Sequence, residues 1–275
     1  MAKDVEKSAK LKEDGNHRYQ AGDFIGAEGL YSKAIIADDA NPSLYTNRAM
    51  ARIQLGYYDS AISDCSECLK LSKGENLKAH FILSKCQLAI KDCDAALASA
   101  IQAHRLCVKT NDKSLGPVTD QVLRCKKDRW DEMEKRRMRE GQELEGDIVA
   151  LMERERDVMV GSYTNDFDRT QVKEEWDHKI ATLRETFEKS RPAPEKKRQV
   201  PDWAIDEISF AIMVDPVITK TGKSYERASI MEHLRRHPVD PLTREPLYPN
   251  ELRPNIQLRE ACQEFLDKNG WAADW

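Results

Sequence analysis

Four side chains in the first eighty residues carry the same chemistry. Lys12 and Asn16 stand four residues apart, so both lie on one face of a helix; Asn47 opens a later segment in TNRA, and Lys78 another in LKAHF. Two ammonium groups and two carboxamides that converge would bind neighbouring carboxylates, with charge-assisted hydrogen bonds worth about 1.5–3 kcal/mol each. Phe81, one turn after Lys78, adds an apolar surface. Any one of these residues alone would be an ordinary solvated position. The case for a site rests on their matched placement, which depends on the elements that carry them.

Those elements repeat. Gly15, Ala27 and Ala34 recur 34 residues later as Ala49, Ala61 and Cys68, and again as Ser84, Ala96 and Ala103 after one inserted residue. Small residues at these points let paired antiparallel helices approach closely, while Leu11, Tyr31, Ile35, Ile53, Leu55, Ile62 and Leu69 fill the space around them. The period is that of the tetratricopeptide repeat (TPR), with helix pairs predicted over 7–38, 42–72 and 76–109 in a TPR domain spanning 7–116. A helix starting near Pro117, with Val118, Val122, Leu123 and Trp130, is placed to cap the solenoid. In this frame Lys12, Asn16, Asn47 and Lys78 resemble the dicarboxylate clamp of TPR co-chaperones, which hold the C-terminal Glu-Glu-Val-Asp tail of heat-shock chaperones. The resemblance implies that these four grip the tail and that Phe81 receives one of its apolar residues. Several clamp domains carry a second basic residue one turn after the lysine of the third repeat, where this chain has Ile82.

From 117 to 190 the chain is densely charged, with Lys126, Lys127, Lys135, Arg136, Arg137 and Arg139 followed by Glu140, Glu143, Glu145 and Asp147. Mixed signs at this density describe a solvated helix rather than a nucleic-acid surface. Leu144, Ile148, Leu151 and Val158 form one apolar seam, and Val172, Trp176, Ile180, Leu183 and Phe187 a second; GSYTNDFD at 161–168 breaks the helical pattern between them. An antiparallel hairpin of coiled-coil type is predicted. Its core is thin, which leads to the expectation of a homodimer that covers the Trp176 and Phe187 faces; packing of the seams back on the TPR domain is the alternative.

A Pro- and charge-rich linker at 191–200 precedes a compositionally different segment, 201–275. A short hairpin about Thr221-Gly222, a helix through Ile230, Met231 and Leu234, Pro-rich loops and a last helix near 255–268 are predicted there. This order, through PDWAIDEISFAIMVDPVITKTGKSYERASIMEHLRR and DPLTREPLYPNELRPNIQLREACQEFL, resembles the U-box, a small α+β module with the RING fold but no metals. Cys262, His233 and His237 are too few soft or borderline ligands for two zinc sites, so hydrogen bonds and ion pairs must do the work of zinc. The resemblance implies that Ile208, Phe210, Pro241 and Arg244 dock a ubiquitin-charged conjugating enzyme. It also implies that Arg244 hydrogen-bonds across enzyme and ubiquitin to hold the thioester in a reactive conformation, with no nucleophile on this chain. Ile208 and Phe210 alternate with polar neighbours, which leaves a core role open for either, and Pro241 serves equally well to shape a turn.

With 44 Lys plus Arg against 48 Asp plus Glu, a net charge of -4, the chain lacks the basic excess of a nucleic-acid binder. No run of eighteen apolar residues suggests a membrane span, and MAKDVEKSAKLKEDG has charges where a signal peptide would be apolar. The seven cysteines are odd in number and scattered; Cys65 and Cys68 form a C-x-x-C pair without partners for zinc, so buried thiols are expected in a cytosolic or nuclear protein. The fold class is mainly α: a TPR solenoid, a helical hairpin and a U-box. The order of modules resembles chaperone-binding ubiquitin ligases, which implies chaperones, a conjugating enzyme, ubiquitin and misfolded clients as partners, and no cofactor. The competing class is a non-catalytic TPR adaptor, which need not keep Ile208, Phe210, Pro241 and Arg244 together.

Overall fold

The computed structural model describes residues 4–190 and 200–274; the expected linker, 191–199, lies outside the described residues. Six helices form the N-terminal region: α1 (Val5–Gln20), α2 (Phe24–Ala37), α3 (Pro42–Gln54), α4 (Tyr58–Leu71), α5 (Leu77–Ala89) and α6 (Cys93–Thr110). Five of them start at an Asp or Asn whose side chain accepts from the first turn: Asp4, Asp23, Asn41, Asn76 and Asp92. The chain turns between helices through Gly22, Gly56 and Gly74, each at φ near +80°, a conformation other residues adopt at a cost.

The small residues of the 34-residue repeat sit where the helices touch. Ala27, Ala34, Ala49, Ala61, Cys68, Ser84, Ala96 and Ala103 are all fully buried. Gly15 faces the Tyr31 ring so closely that a Cβ would stand 2.6 Å from it, which is why the smallest residue occupies this crossing. Cys65 and Cys68 are core residues of the second repeat, and burial pushes the Cys68 thiol up to about 11.

A polar cluster links the first two repeats. Arg48 makes a bidentate pair with buried Asp64 at 2.6 and 3.0 Å and donates to Ser32. Arg52 donates to both Asp64 and Glu28. The network ties α2, α3 and α4, and each charge is satisfied by at least one opposite charge.

Helix α7 (Leu115–Ser162) begins as the cap: Val118, Val122 and Cys125 are buried, the latter two in a cluster with Leu88, Cys93, Ala96, Leu97 and Ala100. Its neighbouring face meets the C-terminal module. Leu123 packs on a cluster of Val200, Ala204, Ile212, Met213, Cys262, Leu266 and Ala272, and Trp130 closes over Gly270, leaving no room for a side chain there. Lys126 pairs with Asp267 at 3.8 Å, and Lys127 with Asp274. Residues 1–130 and 200–275 therefore form one compact unit, an association that nothing in the local sequence announced.

Within the C-terminal module, β1 (Pro216–Ile218) pairs antiparallel with β2 (Ser224–Glu226) and β3 (Arg253–Pro254), in the order β2-β1-β3, with Val217 opposite Tyr225. Helices α9 (Arg227–Arg236) and α10 (Ile256–Lys268) complete it; α8 (Asp166–Ser190) belongs to the second unit, 131–199. Val217, Tyr225, Ile230, Leu234, Leu247 and Leu252 form its other core cluster.

In the second unit the rest of α7 and α8 lie antiparallel, joined by the ion pairs Arg156–Asp177 at 2.8 Å and Arg184–Glu153 at 3.7 Å. The second apolar seam faces inward, with Ile180 buried and Val172, Trp176, Leu183 and Phe187 half-buried. The first seam pairs only in part: Ile148 is half-buried beside buried Val149, and Leu144, Leu151 and Val158 are exposed. A two-helix contact covers one narrow stripe of each helix, and the heptad-spaced residues lie on a different stripe from Val149.

Asp64→Ala would leave Arg48 and Arg52 without their shared carboxylate inside the solenoid. It is expected to destabilise the repeats by about 3 kcal/mol, read as a lowered urea midpoint in the helical circular-dichroism signal; an unchanged midpoint would contradict the network's structural weight.

Candidate functional site

Three of the four donors of the solenoid, Asn16, Asn47 and Lys78, are joined with Tyr31 in one bonded chain across α1, α2, α3 and α5, and Lys12 is held separately. Tyr31 donates from its hydroxyl to Asn16 Oδ1 at 2.9 Å, Asn47 Nδ2 donates to the same oxygen at 3.1 Å, and Lys78 Nζ donates to Asn47 Oδ1 at 3.0 Å. Lys12 Nζ donates to Ser43 Oγ at 2.8 Å, and Ser43 is held in turn by Asn41. Both carboxamide oxygens are thus occupied as acceptors, which leaves amide and ammonium N–H groups to face a ligand. A cavity of about 190 Å³ lies among Asn16, Tyr19, Gln20, Tyr31, Asn47, Met50 and Lys78.

The electrostatics point the same way. Partial desolvation, and after it the nearby Lys12 ammonium, hold Lys78 below the ordinary lysine range. Two cations held close without an anion between them form a site that an anion stabilises. Phe81 is half-buried beside this group, whereas Ile82 is 1% exposed and belongs to the core, so the turn after Lys78 offers no charge to the groove. Tyr31 and Ser43 were not anticipated as site residues. Tyr31 reads in sequence as a packing residue, and only its hydroxyl shows its second role.

In the C-terminal module, two loops share one backbone design. In the first, Asp206 N–H donates to Ala211 O at 2.9 Å, Phe210 N–H returns to Asp206 O at 2.8 Å, and the Asp206 carboxylate accepts from the Ser209 amide and hydroxyl. In the second, Asp240 N–H donates to Glu245 O at 2.8 Å, Arg244 N–H returns to Asp240 O at 2.9 Å, and the Asp240 carboxylate accepts from the Leu242 and Thr243 amides. Isolated bridges, Ile205–Ile212 and Val239–Pro246, close the two loops. Phe210 and Arg244 occupy the same point of each loop in the left-handed region, at φ 59° and 61°, a strain of about 1–2 kcal/mol for a residue other than glycine.

This correspondence sorts the expected residues. Phe210 is 72% exposed and Arg244 is exposed, with no carboxylate paired to it among the described residues. Ile208 is half-buried and packs on the core cluster of Val217 and Tyr225, so it contributes to both core and surface. Pro241 is half-buried inside the second loop, where its fixed φ suits the turn. Leu242, which matches Ile208 in the paired design, is 65% exposed and was missed; the shared spacing of DEISFA and DPLTRE carried the signal.

Carboxylates anchor both loops. Asp206 also accepts from the Glu226 amide and from Ser229 Oγ, and Asp240 accepts from Thr221 Oγ1. Glu226, fully buried, accepts from the Val214 and Asp215 amides at 2.8 and 2.9 Å, yet burial dominates and pushes its carboxyl up to about 7. Cys262 lies in the core of the module rather than at its surface, its thiol pushed up to about 11 by burial.

A helical-repeat groove of convergent donors and a module built on two Asp-anchored loops define a TPR protein ending in a U-box; residues 200–271 match the U-box domain family. The chain is a U-box-type E3 ubiquitin ligase. Along nearly its whole length it is similar to the E3 ubiquitin-protein ligase CHIP of Arabidopsis thaliana, at 27% identity over 96% of this chain and 94% of the relative. Its repeat region is similar to the Hsp70/Hsp90 co-chaperone CNS1 of Saccharomyces cerevisiae, 30% identical over 51% of this chain and 37% of that one. Among solved structures, the first TPR of Spaghetti (RPAP3) bound to the HSP90 peptide SRMEEVD aligns with 28% identity and a TM-score of 0.41, covering 44% of this chain and 94% of that one.

Because the folded Glu226 carboxyl titrates near 7 and the unfolded one near 4.5, its contribution to stability is complete below about 4.5 and is lost as pH rises through 7. Glu226→Gln is expected to abolish that part of the slope between pH 5 and 7 in Trp-fluorescence unfolding of the full chain. A variant with the wild-type slope would assign the pH dependence elsewhere.

Proposed function

We propose that the chain is a co-chaperone ligase: the groove of Lys12, Asn16, Asn47, Lys78 and Phe81 holds the C-terminal Glu-Glu-Val-Asp tail of a heat-shock chaperone, and the U-box loops bring ubiquitin-charged conjugating enzyme to the chaperone's misfolded client. The observation that carries the reading is the bonded chain from Tyr31 to Lys78, which engages both carboxamide oxygens as acceptors and leaves amide and ammonium N–H groups for a peptide's terminal and side-chain carboxylates. The similarity to a co-chaperone over the repeats supports the choice of ligand. On the U-box, exposed Phe210 and Leu242 offer apolar contacts, and exposed Arg244 offers a guanidinium fork that can bridge conjugating enzyme and ubiquitin. Tethering a client near the charged enzyme raises its effective concentration, and this replaces specific recognition of the acceptor lysine. The reading places the protein in the cytosol, with the nucleus as a second location.

Transfer to a chaperone and to free ubiquitin should be followed in an assay with a charged conjugating enzyme. Arg244→Ala is expected to reduce all transfer at least tenfold, whereas Lys12→Ala should spare free-chain synthesis and lose chaperone modification. A wild type inactive with a broad panel of conjugating enzymes would favour a binding adaptor instead.

The hairpin is proposed to make the protein a homodimer, supported by the exposed seam of Leu144, Leu151 and Val158. Light scattering at micromolar concentration should give twice the 31.5 kDa chain mass, and replacing all three residues with Gln should give the single mass. A wild type at 31.5 kDa would remove the proposal.

A further inference from the structure

We propose that Lys85 is a specificity residue of the groove, reading an acidic side chain three residues before the C-terminus of the bound tail. The inference rests on the tail-binding reading and extends it from the terminal carboxylates to the approaching peptide.

Position along α5 supplies the first argument. Successive residues of a helix turn by about 100°, so Lys85 returns to within about 20° of Lys78, with Phe81 about 60° from Lys78 on the same side. Ile82, about 40° to the other side, is 1% exposed and faces the core. Phe81 is half-buried and Lys85 exposed, so the helix presents Lys78, Phe81 and Lys85 in that order along one stripe. Lys78 stands at the second residue of α5. The stripe therefore runs away from the gripped terminus along the body of the helix.

Distance along the stripe supplies the second. Seven residues of helix rise about 10.5 Å, and an extended peptide advances about 3.3–3.6 Å per residue. A tail whose last residue is held at Lys78 and which runs along this stripe brings its penultimate side chain toward Phe81 and the residue three before its end toward Lys85. In a tail ending Glu-Glu-Val-Asp, those are the valine and the first glutamate.

The state of the Lys85 side chain supplies the third. Its ammonium lies 4.4 Å from the centroid of the Phe81 ring, a cation–π contact that holds a flexible side chain over the groove. Lys70 pairs with Glu67 and Lys109 with Glu75. No carboxylate pairs with Lys85 among the described residues, so it retains its charge for a partner. Ile82 stands one turn after Lys78, and the next cation on this face, Lys85, stands two turns after it.

The test is a double-mutant cycle by calorimetry on the full chain, with the peptide SRMEEVD, the same peptide with its first Glu changed to Gln, and a third with the second Glu changed instead. Wild type is expected to lose about fivefold in affinity on the first change. Lys85→Met should lose as much with the parent peptide and nothing further with the first-Glu variant, while remaining sensitive to the second. Equal losses for all three peptides in Lys85→Met, or none for any, would overturn the proposal. Lys12→Ala separates the two readings: if it abolishes binding while the Lys85 cycle shows no coupling, the tail-binding reading stands and this inference alone falls. If wild type binds none of the peptides, both fall.

Discussion

The first four turns of α7 carry more of the structure than any other segment, because they bury two faces at once. One face, with Val118, Val122 and Cys125, closes the end of the repeat solenoid; the other, with Leu123 and Trp130, packs against the U-box core and Gly270. A solenoid needs its last pair of helices covered, and a module of some seventy residues has little core of its own to spare. Sharing a helix meets both needs. It also places Lys126 and Lys127 where they meet Asp267 and Asp274, so that charge complementarity sets the register of a contact whose affinity is hydrophobic.

The U-box meets a different constraint. Its two loops must display Phe210 and Arg244 from strained backbone, and nothing regular holds them in place. Asp206 and Asp240 hold them by accepting several backbone and hydroxyl donors each, and Glu226 does the same for the chain leading into β1. A carboxylate in this position costs desolvation and returns it through convergent N–H donors. For Glu226 desolvation outweighs the donors, which is why its proton is held more tightly than an ordinary carboxyl holds one.

The parts of this architecture that were legible in the sequence are those fixed by local spacing. The small residues from Gly15 to Ala103 recur at one period because helix crossings recur, and Lys12, Asn16, Asn47 and Lys78 could be assigned to one groove once that period was known. Relations across the chain were less visible. The Tyr31 hydroxyl matters through a bond to Asn16, which no pattern of apolar residues reveals. Leu242 was overlooked because its loop was read by itself, although DEISFA and DPLTRE have the same layout of aspartate, aliphatic and hydroxyl residues. The seam of Leu144, Leu151 and Val158 was assigned to the hairpin because heptad spacing identifies a stripe without identifying what covers it; Val149 occupies the contact. The docking of α7 on the U-box joins residues more than a hundred positions apart, and neither segment alone predicts it.

The groove is also a hydrogen-bonded system before any ligand arrives. Lys12 is engaged with Ser43 and Lys78 with Asn47, so a peptide carboxylate must take over existing partners as well as displace water. Binding is then largely an exchange of one acceptor for another, and its net yield is smaller than the number of contacts suggests. Such a groove is pre-shaped, which favours rapid capture, and its grip is loose enough to release quickly. A groove of this kind exchanges one tail for another readily, so occupancy follows the supply of tails rather than the strength of any single grip.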